Sequence, residues 1–544
     1  MHRASSLRLA PASALRIFAL ALCLFTTACG RHPGNPASGV PELTLLGGTE
    51  LRDLAFLQPQ MEAAAGIRIR FEYAGPMEMV DRVRTGGIDL AWPTDGLYLR
   101  MNLPQKILAA TPIMRSPVVL ALKKPRAEEL GWTHRAPSWP EIGHAVQRDQ
   151  LALGMTSPVA SDLGLAALLS AAFGTAGGPH AAPALAPALR GSVSPADIDP
   201  DRLAPLYAGM KLIGGSGSWL AQAYVKQEDR LDGMINYESA VLELDAGDEL
   251  DTPLAVIHPR DGSRVAEYPL LLLNAARRRE YQKLVAFLRS PDIQRQIVAR
   301  TWHRPVINGV ELPAAFGNAP LKVLRETPRP ELVAALLDVY QSRLRPPSHC
   351  YFVLDVSGSM AQAHRMDDLK RALGLLAGRP AGGGLSDRYL RFQPREKIDV
   401  TTFSSHLVDH LALELDDGPA YDAGLQRFED FVDGLQPQGG TAIYDALQTV
   451  YQRALKDRRQ QPGDYYTIVL MTDGENSSGM DFEVFRQWYE ALPDTAQDIP
   501  VFTILFGESS RKEMGALAEL TGGRLFDATR YSLAAVFKDI RGYQ

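Results

Sequence analysis

The chain has 544 residues, more than one hydrophobic core organises, and its composition of 46% apolar and 22% charged residues is that of a folded globular protein. A formal net charge of -6 without charge blocks gives no footing for nucleic acid or an anionic membrane surface as partner. Three cysteines draw no disulfide framework, and no CxxC zinc pattern occurs.

The first 29 residues read as an export signal. Arg3, Arg8 and Arg16 supply a positive region, and residues 17–28 form an apolar run ending in small residues, too short to span a bilayer comfortably. Leu24-Phe25-Thr26-Thr27-Ala28-Cys29-Gly30 resembles a bacterial lipobox, with Thr26 where Leu is usual. The resemblance implies a lipid-modified Cys29 as first mature residue; simple secretion after Ala28 is the alternative. Residues 30–40, with three Gly and two Pro, read as a flexible tether. The expected location is the periplasmic side of the cell envelope, either held at the membrane by the lipid anchor alone or soluble.

From 41 to 342, short apolar runs alternate with helical patterns, the rhythm of βαβ units. Residues 43–46 read as a strand ending in Gly47-Gly48-Thr49, followed by a helix to Ala65 capped by Gly66. Further strands are expected at 67–73, 88–92, 118–122 and 151–155, with a helix ending at Gly86-Gly87. Residues 171–193, rich in Ala, Pro and Gly, read as loop; 268–273 and an amphipathic helix near 279–289 return to α/β material. Gly87-Ile88-Asp89-Leu90-Ala91-Trp92, the run Thr156-Ser157-Pro158-Val159-Ala160-Ser161-Asp162-Leu163-Gly164, Asn236-Tyr237-Glu238-Ser239, and His258-Pro259-Arg260-Asp261-Gly262 with Tyr268-Pro269 are similar to segments of bacterial periplasmic solute-binding proteins of the two-lobed type II class. That resemblance implies two α/β lobes closing on a small-molecule solute. Helix starts in such a cleft present free N–H groups and a positive dipole end, which favour anions. Gly48, Thr49, Thr94, Thr156, Ser157, Ser161, Asn236 and Tyr237 are the expected ligand-binding positions, with capping and turn formation as the alternative for each. Arg115 is the candidate basic partner for an anion.

Residues 343–349, Arg-Leu-Arg-Pro-Pro-Ser-His, break the pattern, since paired prolines stop a helix and stiffen a linker; a second domain is expected over 350–544. The apolar run 351–354, suited to a central parallel strand, ends in Asp355-Val356-Ser357-Gly358-Ser359-Met360. In a loop leaving that strand, Asp355, Ser357 and Ser359 turn three oxygens toward one point, and Gly358 allows the curvature. Hard divalent cations take oxygen ligands. Gln438-Gly439-Gly440-Thr441 precedes a helical run at 442–455, and the strands expected at 399–405 and 467–473 are buried, the latter ending in Thr472-Asp473-Gly474. In an open doubly wound sheet all five positions fall at the carboxyl edge of the strands.

Asp-x-Ser-x-Ser, the Gly-Gly-Thr loop and the later Thr-Asp-Gly, with Phe403-Ser404-Ser405 and Leu520-Thr521-Gly522-Gly523, resemble the metal-ion-dependent adhesion site of von Willebrand factor A domains. The resemblance implies a doubly wound, Rossmann-like fold. It implies Ser357, Ser359 and Thr441 as direct ligands, Asp355 and Asp473 acting mainly through water, and Mg²⁺ as the ion, with Mn²⁺ or Ca²⁺ as alternatives. It also implies a protein partner that offers an acidic residue to the metal. Asp445 and Glu475 are not needed as ligands.

Enzyme signatures are missing: the chain has no P-loop, HExxH, GxSxG or dinucleotide GxGxxG pattern. No Lys follows Gly214-Gly215-Ser216-Gly217-Ser218, which reads as a loop, and His406 and His410 stand isolated on a strand. The expected function is an envelope-anchored binding protein that couples a solute-binding-like module to metal-dependent capture of a protein. The alternative is the solute-binding component of a transport system, docked by its second domain.

Overall fold

The computed structural model describes residues 42–544 apart from 177–198, 319, 326–327, 380–388, 508–509, 530–532 and 544. The expected signal, Cys29 and the tether 30–40 lie outside the described residues.

Upstream of residue 306 the strands are β1 (Glu42–Gly47), β2 (Arg68–Tyr73), β3 (Leu90–Trp92), β4 (Ala109–Pro112), β5 (Met114–Lys123), β6 (Leu153–Thr156), β7 (Met210–Gly214), β8 (Gly233–Tyr237), β9 (Leu254–Ile257), β10 (Val265–Ala266), β11 (Pro269–Leu272) and β12 (Arg304–Pro305). They build two sheets and hence two lobes. Lobe 1 has the order β2-β1-β3-β11-β4, and lobe 2 the order β10-β5-β8-β6-β7, with β9 and β12 also pairing to β5. The chain crosses between lobes three times: at Ile113, from β4 to β5; at 267–268, from β10 to β11; and over 273–303, from β11 back to β12. Tyr268 at the second crossing is buried and holds φ +43°, unusual for a residue with a Cβ. Two hydrogen bonds keep it there: the Trp92 indole donates to its carbonyl at 2.9 Å, and its N–H donates to the Thr94 carbonyl at 2.8 Å.

Two expectations from sequence change. The segment 49–65 is a 3-10 helix, Thr49–Leu57, followed by the α-helix Gln58–Ala65, because Pro59 lacks the N–H that a continuous helix would need. Residues 171–176 are not loop but the last turns of the helix Asp162–Ala176. Ala and Leu are strong helix formers, and Leu165, Leu168, Leu169 and Ala172 are buried, so packing holds the helix past its polar start. The rest of the expected loop, 177–193, lies outside the described residues.

The third sheet is formed by β13 (Ser348–Asp355), β14 (Glu396–Phe403), β15 (Leu407–Leu415), β16 (Tyr465–Thr472), β17 (Val501–Leu505) and β18 (Leu525–Asp527), in the order β15-β14-β13-β16-β17-β18. All neighbours are parallel except β15 on β14. β13 is buried on both faces: Cys350, Phe352 and Leu354 join one apolar cluster, Tyr351 and Val353 the other. Each such side chain contributes roughly 1.5–3 kcal/mol over exposure. Strand order reverses between β13 and β16, the switch point beside which ligands bind in such sheets.

Residues 343–349 are packed structure. The helix Pro330–Val339 and the turn Tyr340–Leu344 lead to Arg345, buried with its Nη2 2.6 Å from Glu396 Oε1, and β13 begins at Ser348. Lobe 2 and the third sheet share an apolar cluster in which Val119, Trp219 and Leu220 lie with Phe502, Phe526 and Tyr543. The Tyr543 ring meets Trp219 edge to face at 4.7 Å, and a Cβ on Gly215 would lie 2.6 Å from that ring. No helix among the described residues is long and apolar enough to cross a membrane.

Candidate functional site

At the carboxyl edge of the third sheet, the end of β13 and the end of β16 are tied through side chains. Asp355 Oδ1 accepts the Ser357 N–H at 2.7 Å, and its Oδ2 accepts the Thr472 hydroxyl at 2.7 Å. The Ser357 and Ser359 hydroxyls are 2.9 Å apart, Ser359 donates to Asp473 Oδ1 at 2.7 Å, and Arg365 Nη1 lies 2.8 Å from Asp473 Oδ2. Backbone bonds fix the third loop: Gly358 N–H donates to the Gly439 carbonyl, Gln438 N–H to Val356, and Ala442 N–H to Ser404. They set Thr441 opposite the serines, so that a Cβ on Gly474 would meet Ser359 Oγ at 3.6 Å and Thr441 Oγ1 at 3.8 Å.

The five residues singled out from sequence are therefore neighbours. Asp355 and Asp473 are both buried. Burial raises the Asp355 pKa above the carboxylate range, hydrogen bonds from Ser357 and Thr472 oppose that, and the Asp473 charge adds to it. Chemically the edge presents hydroxyl and carboxylate oxygens, with Arg365 as the adjacent cation. Among the described residues no group of three or more His, Cys, Asp or Glu side chains is placed to hold a metal ion, so an ion at this edge would rely on Ser357, Ser359 and Thr441. Asp445 accepts the Met480 N–H at 3.2 Å and steadies the loop after Asp473, while Glu475 is exposed. His406 is exposed, and His410 Nε2 lies 2.8 Å from Asp399 Oδ2.

Between the lobes, Gly48, Thr49, Thr94 and Ser161 come together around a void of about 10 Å³, room for roughly one water. The lobes touch across it: Tyr98 donates to the Pro158 carbonyl at 2.9 Å, and the Asp95 N–H donates to Asp162 Oδ2 at 3.4 Å. The remaining expected positions differ. Ser157 hydrogen-bonds Tyr340, and Asn236 is used internally, donating to the Gly217 carbonyl and accepting from the Tyr237 N–H. Thr156 Oγ1 and the Tyr237 hydroxyl are buried and find no hydrogen-bond partner among the described residues. Arg115 is half exposed on β5, 3.5 Å from Glu267, away from the void.

The charged groups at this cleft are acids, beside the helix starts expected to attract an anion. Glu50 and Asp162 line the void, with Asp95 beside it. The Asp162 carboxyl is pushed up to about 8, first by burial and then by the charges of Asp95 and Glu50, with the Asp95 N–H and Arg100 opposing. Sequence reasoning passed over Glu50 because an acid in the first turn of a helix is ordinarily a dipole partner facing water. Its signal was present in the string Gly47-Gly48-Thr49-Glu50, the same loop that supplied Gly48 and Thr49.

Residues 51–302 match the family model of bacterial extracellular solute-binding proteins, and residues 350–475 match that of the von Willebrand factor type A domain. Among curated proteins, calcium-activated chloride channel regulator 3A-1 of Mus musculus is 26% identical over 247 residues, covering 44% of this chain and 23% of that protein, so the chain spans less than a quarter of that relative. Among solved structures, the ferric binding protein from Campylobacter jejuni aligns with a TM-score of 0.43 at 13% identity over 55% of this chain and 98% of its own. The periplasmic binding protein AfuA from Actinobacillus pleuropneumoniae, with fructose-6-phosphate bound, aligns with a TM-score of 0.44 at 12% identity over 56% and 99%. The matched modules are binding folds and not catalytic ones. This chain is a fusion of a two-lobed, periplasmic solute-binding-protein-like α/β domain with a C-terminal domain of the von Willebrand factor A family.

Proposed function

We propose that this chain is the extracytoplasmic solute-binding component of a transport system, with its von Willebrand factor A domain as the module that docks it. The observation that carries this reading is the pair of lobes joined by three crossings, with Gly48, Thr49 and Thr94 of one lobe facing Ser161 of the other across a closed cleft. The signal-like N-terminus supports export, and Cys29 would hold the protein at the membrane by lipid. Titration calorimetry of the full chain against small metabolites and oxyanions, combined with small-angle scattering, tests the reading. A micromolar ligand that changes the scattering profile supports it, and silence across the panel overturns it.

A second reading rests on the sheet edge: metal-dependent capture of a protein that offers a carboxylate. Its support is the convergence of Asp355, Ser357, Ser359, Thr441 and Asp473 at the switch point. The donor set fits a hard divalent ion, Mg²⁺ first and Mn²⁺ or Ca²⁺ as alternatives, because it offers three hydroxyls and two buried carboxylates against one guanidinium. Pull-down with Mg²⁺ or chelator identifies the partner. Asp355→Ala should then reduce Mg²⁺-dependent capture at least about tenfold, a loss of about 1.4 kcal/mol, and unchanged capture sinks this reading.

A further inference from the structure

The acids of the cleft are unequally matched. Asp95 faces two guanidiniums, Arg100 at 2.7 Å and Arg264 at 3.6 Å. Glu50 and Asp162 are answered by neutral donors: the hydroxyls of Thr94 at 3.0 Å and Thr49 at 3.3 Å for Glu50, and the Asp95 N–H for Asp162. Two carboxyl groups, one from each lobe, thus share a void that closure has emptied to about 10 Å³. Asp162 also begins the helix Asp162–Ala176, so the positive end of that helix already has its negative partner and offers little to an incoming anion.

An independent observation comes from β8. The Tyr237 hydroxyl at its end is buried with no hydrogen-bond partner among the described residues, and it lies near enough to Asp162, Asp95 and Glu50 for their charges to act on it. A buried hydroxyl without a partner is costly, so its position points to a group that is supplied from outside. Tyr268, 6.3 Å away between ring centroids, feels the charges of Glu50 and Asp162 as well. Phenol rings and carboxylates together form surroundings that suit a desolvated ammonium.

We propose that the cleft binds a small organic cation, whose ammonium group is held by Glu50 of lobe 1, Asp162 of lobe 2 and the Tyr237 oxygen. This names the solute class for the transport reading and rests on it. An ammonium carries three N–H donors, and these three residues supply three acceptors. With the lobes closed, the proton on Asp162 stands where the cation would be. Uptake of the ammonium sends that proton to solvent and leaves the carboxylate charged. Entry requires the lobes to part, and a cavity of about 750 Å³ adjoins the void, sharing Thr49, Gly75, Ala160 and Gly215 with it.

The test is titration calorimetry of the full chain at pH 7 with methylammonium and 1,4-diaminobutane, with sulfate as the anionic probe, in two buffers of different ionisation enthalpy. Binding of either amine with release of about one proton is the expected result. Asp162→Asn should abolish the proton release and weaken binding roughly tenfold or more. Should Asp162→Asn fail to fold, Glu50→Gln carries the same loss of affinity while proton release persists. Sulfate binding with both amines silent overturns the cation assignment and leaves the transport reading standing. Silence from all three, together with silence across the wider panel, removes both.

Discussion

At the end of β13, both oxygens of Asp355 have donors, Ser359 bridges Ser357 to Asp473, and Asp473 has a guanidinium. Across the inter-lobe cleft the polar groups are left short: Asp162 has one amide at 3.4 Å, and the Tyr237 hydroxyl finds no partner among the described residues. One site is finished within a single sheet whose strand ends hold it. The other is assembled from two lobes and completed only by what enters. On the proposed reading, a preformed edge suits docking, where geometry must be ready at encounter, and an unsatisfied cleft favours closure on a solute.

The comparison breaks most visibly if the frame of the edge is loosened. Glu396 on β14 is buried between Arg345 and Arg541, at 2.6 and 2.8 Å, so it ties the start of the domain to its last helix. Burial pushes its pKa up, but the two guanidiniums more than reverse this and hold it below the carboxylate range. Glu396→Gln leaves two buried cations poorly paired and should cost about 3–5 kcal/mol in denaturant unfolding. Ser359→Ala, which deletes the bridge without touching the cleft, should cost about 1–3 kcal/mol. If it proves neutral, the edge is not the satisfied network described above.

The cleft should respond to pH where the edge frame does not. Asp162 is raised to about 8 in the closed protein, first by burial and then by Asp95 and Glu50. A raised acid favours closure fully below its unburied pKa near 4, and that advantage is lost as pH rises through about 8. The groups facing it are Asp95, Glu50, Arg100, Tyr98 and Tyr237. Hydrogen exchange at the Asp95 amide should quicken several-fold between pH 6 and 9 after correction for intrinsic rate, and Asp162→Asn should flatten the profile. Tyr237→Phe should be stabilising, by about 1 kcal/mol, because it removes a buried hydroxyl that finds no hydrogen-bond partner among the described residues. A loss comparable to Ser359→Ala would place a hidden partner on that hydroxyl.

The edge was legible in sequence because its order is local. Asp355, Ser357 and Ser359 lie within one loop, and each remaining residue closes a strand or opens a helix of the same parallel sheet, whose carboxyl edge is common to all. The cleft was only half legible. Gly48, Thr49, Thr94 and Ser161 were found from helix starts, but Asn236 turned inward to Gly217 and Ser157 to Tyr340, partners far away along the chain. The acidic character of the gap depends on lobe closure bringing Asp95 against Asp162, a non-local event that spacing does not encode. The same holds for residues 343–349: two prolines suggested a stiff linker, and the burial of Arg345 against Glu396 was invisible until β14 was in place.

The meeting of Gly215, Trp219 and Tyr543 bears on how the protein can be handled and how it can change. Severing the chain near 343–349 would open to water the apolar wall that lobe 2 shares with the third sheet, where Trp219 and Leu220 now face Phe502 and Tyr543. Contiguous apolar surface of that kind promotes aggregation. Insolubility of a severed half would therefore report the exposed wall and say nothing about the cleft or the carboxyl edge of the third sheet. Substitutions at Tyr543 would likewise surface as poor yield before any loss of ligand recognition, so the two halves are free to diverge in what they bind but bound to co-vary where they touch.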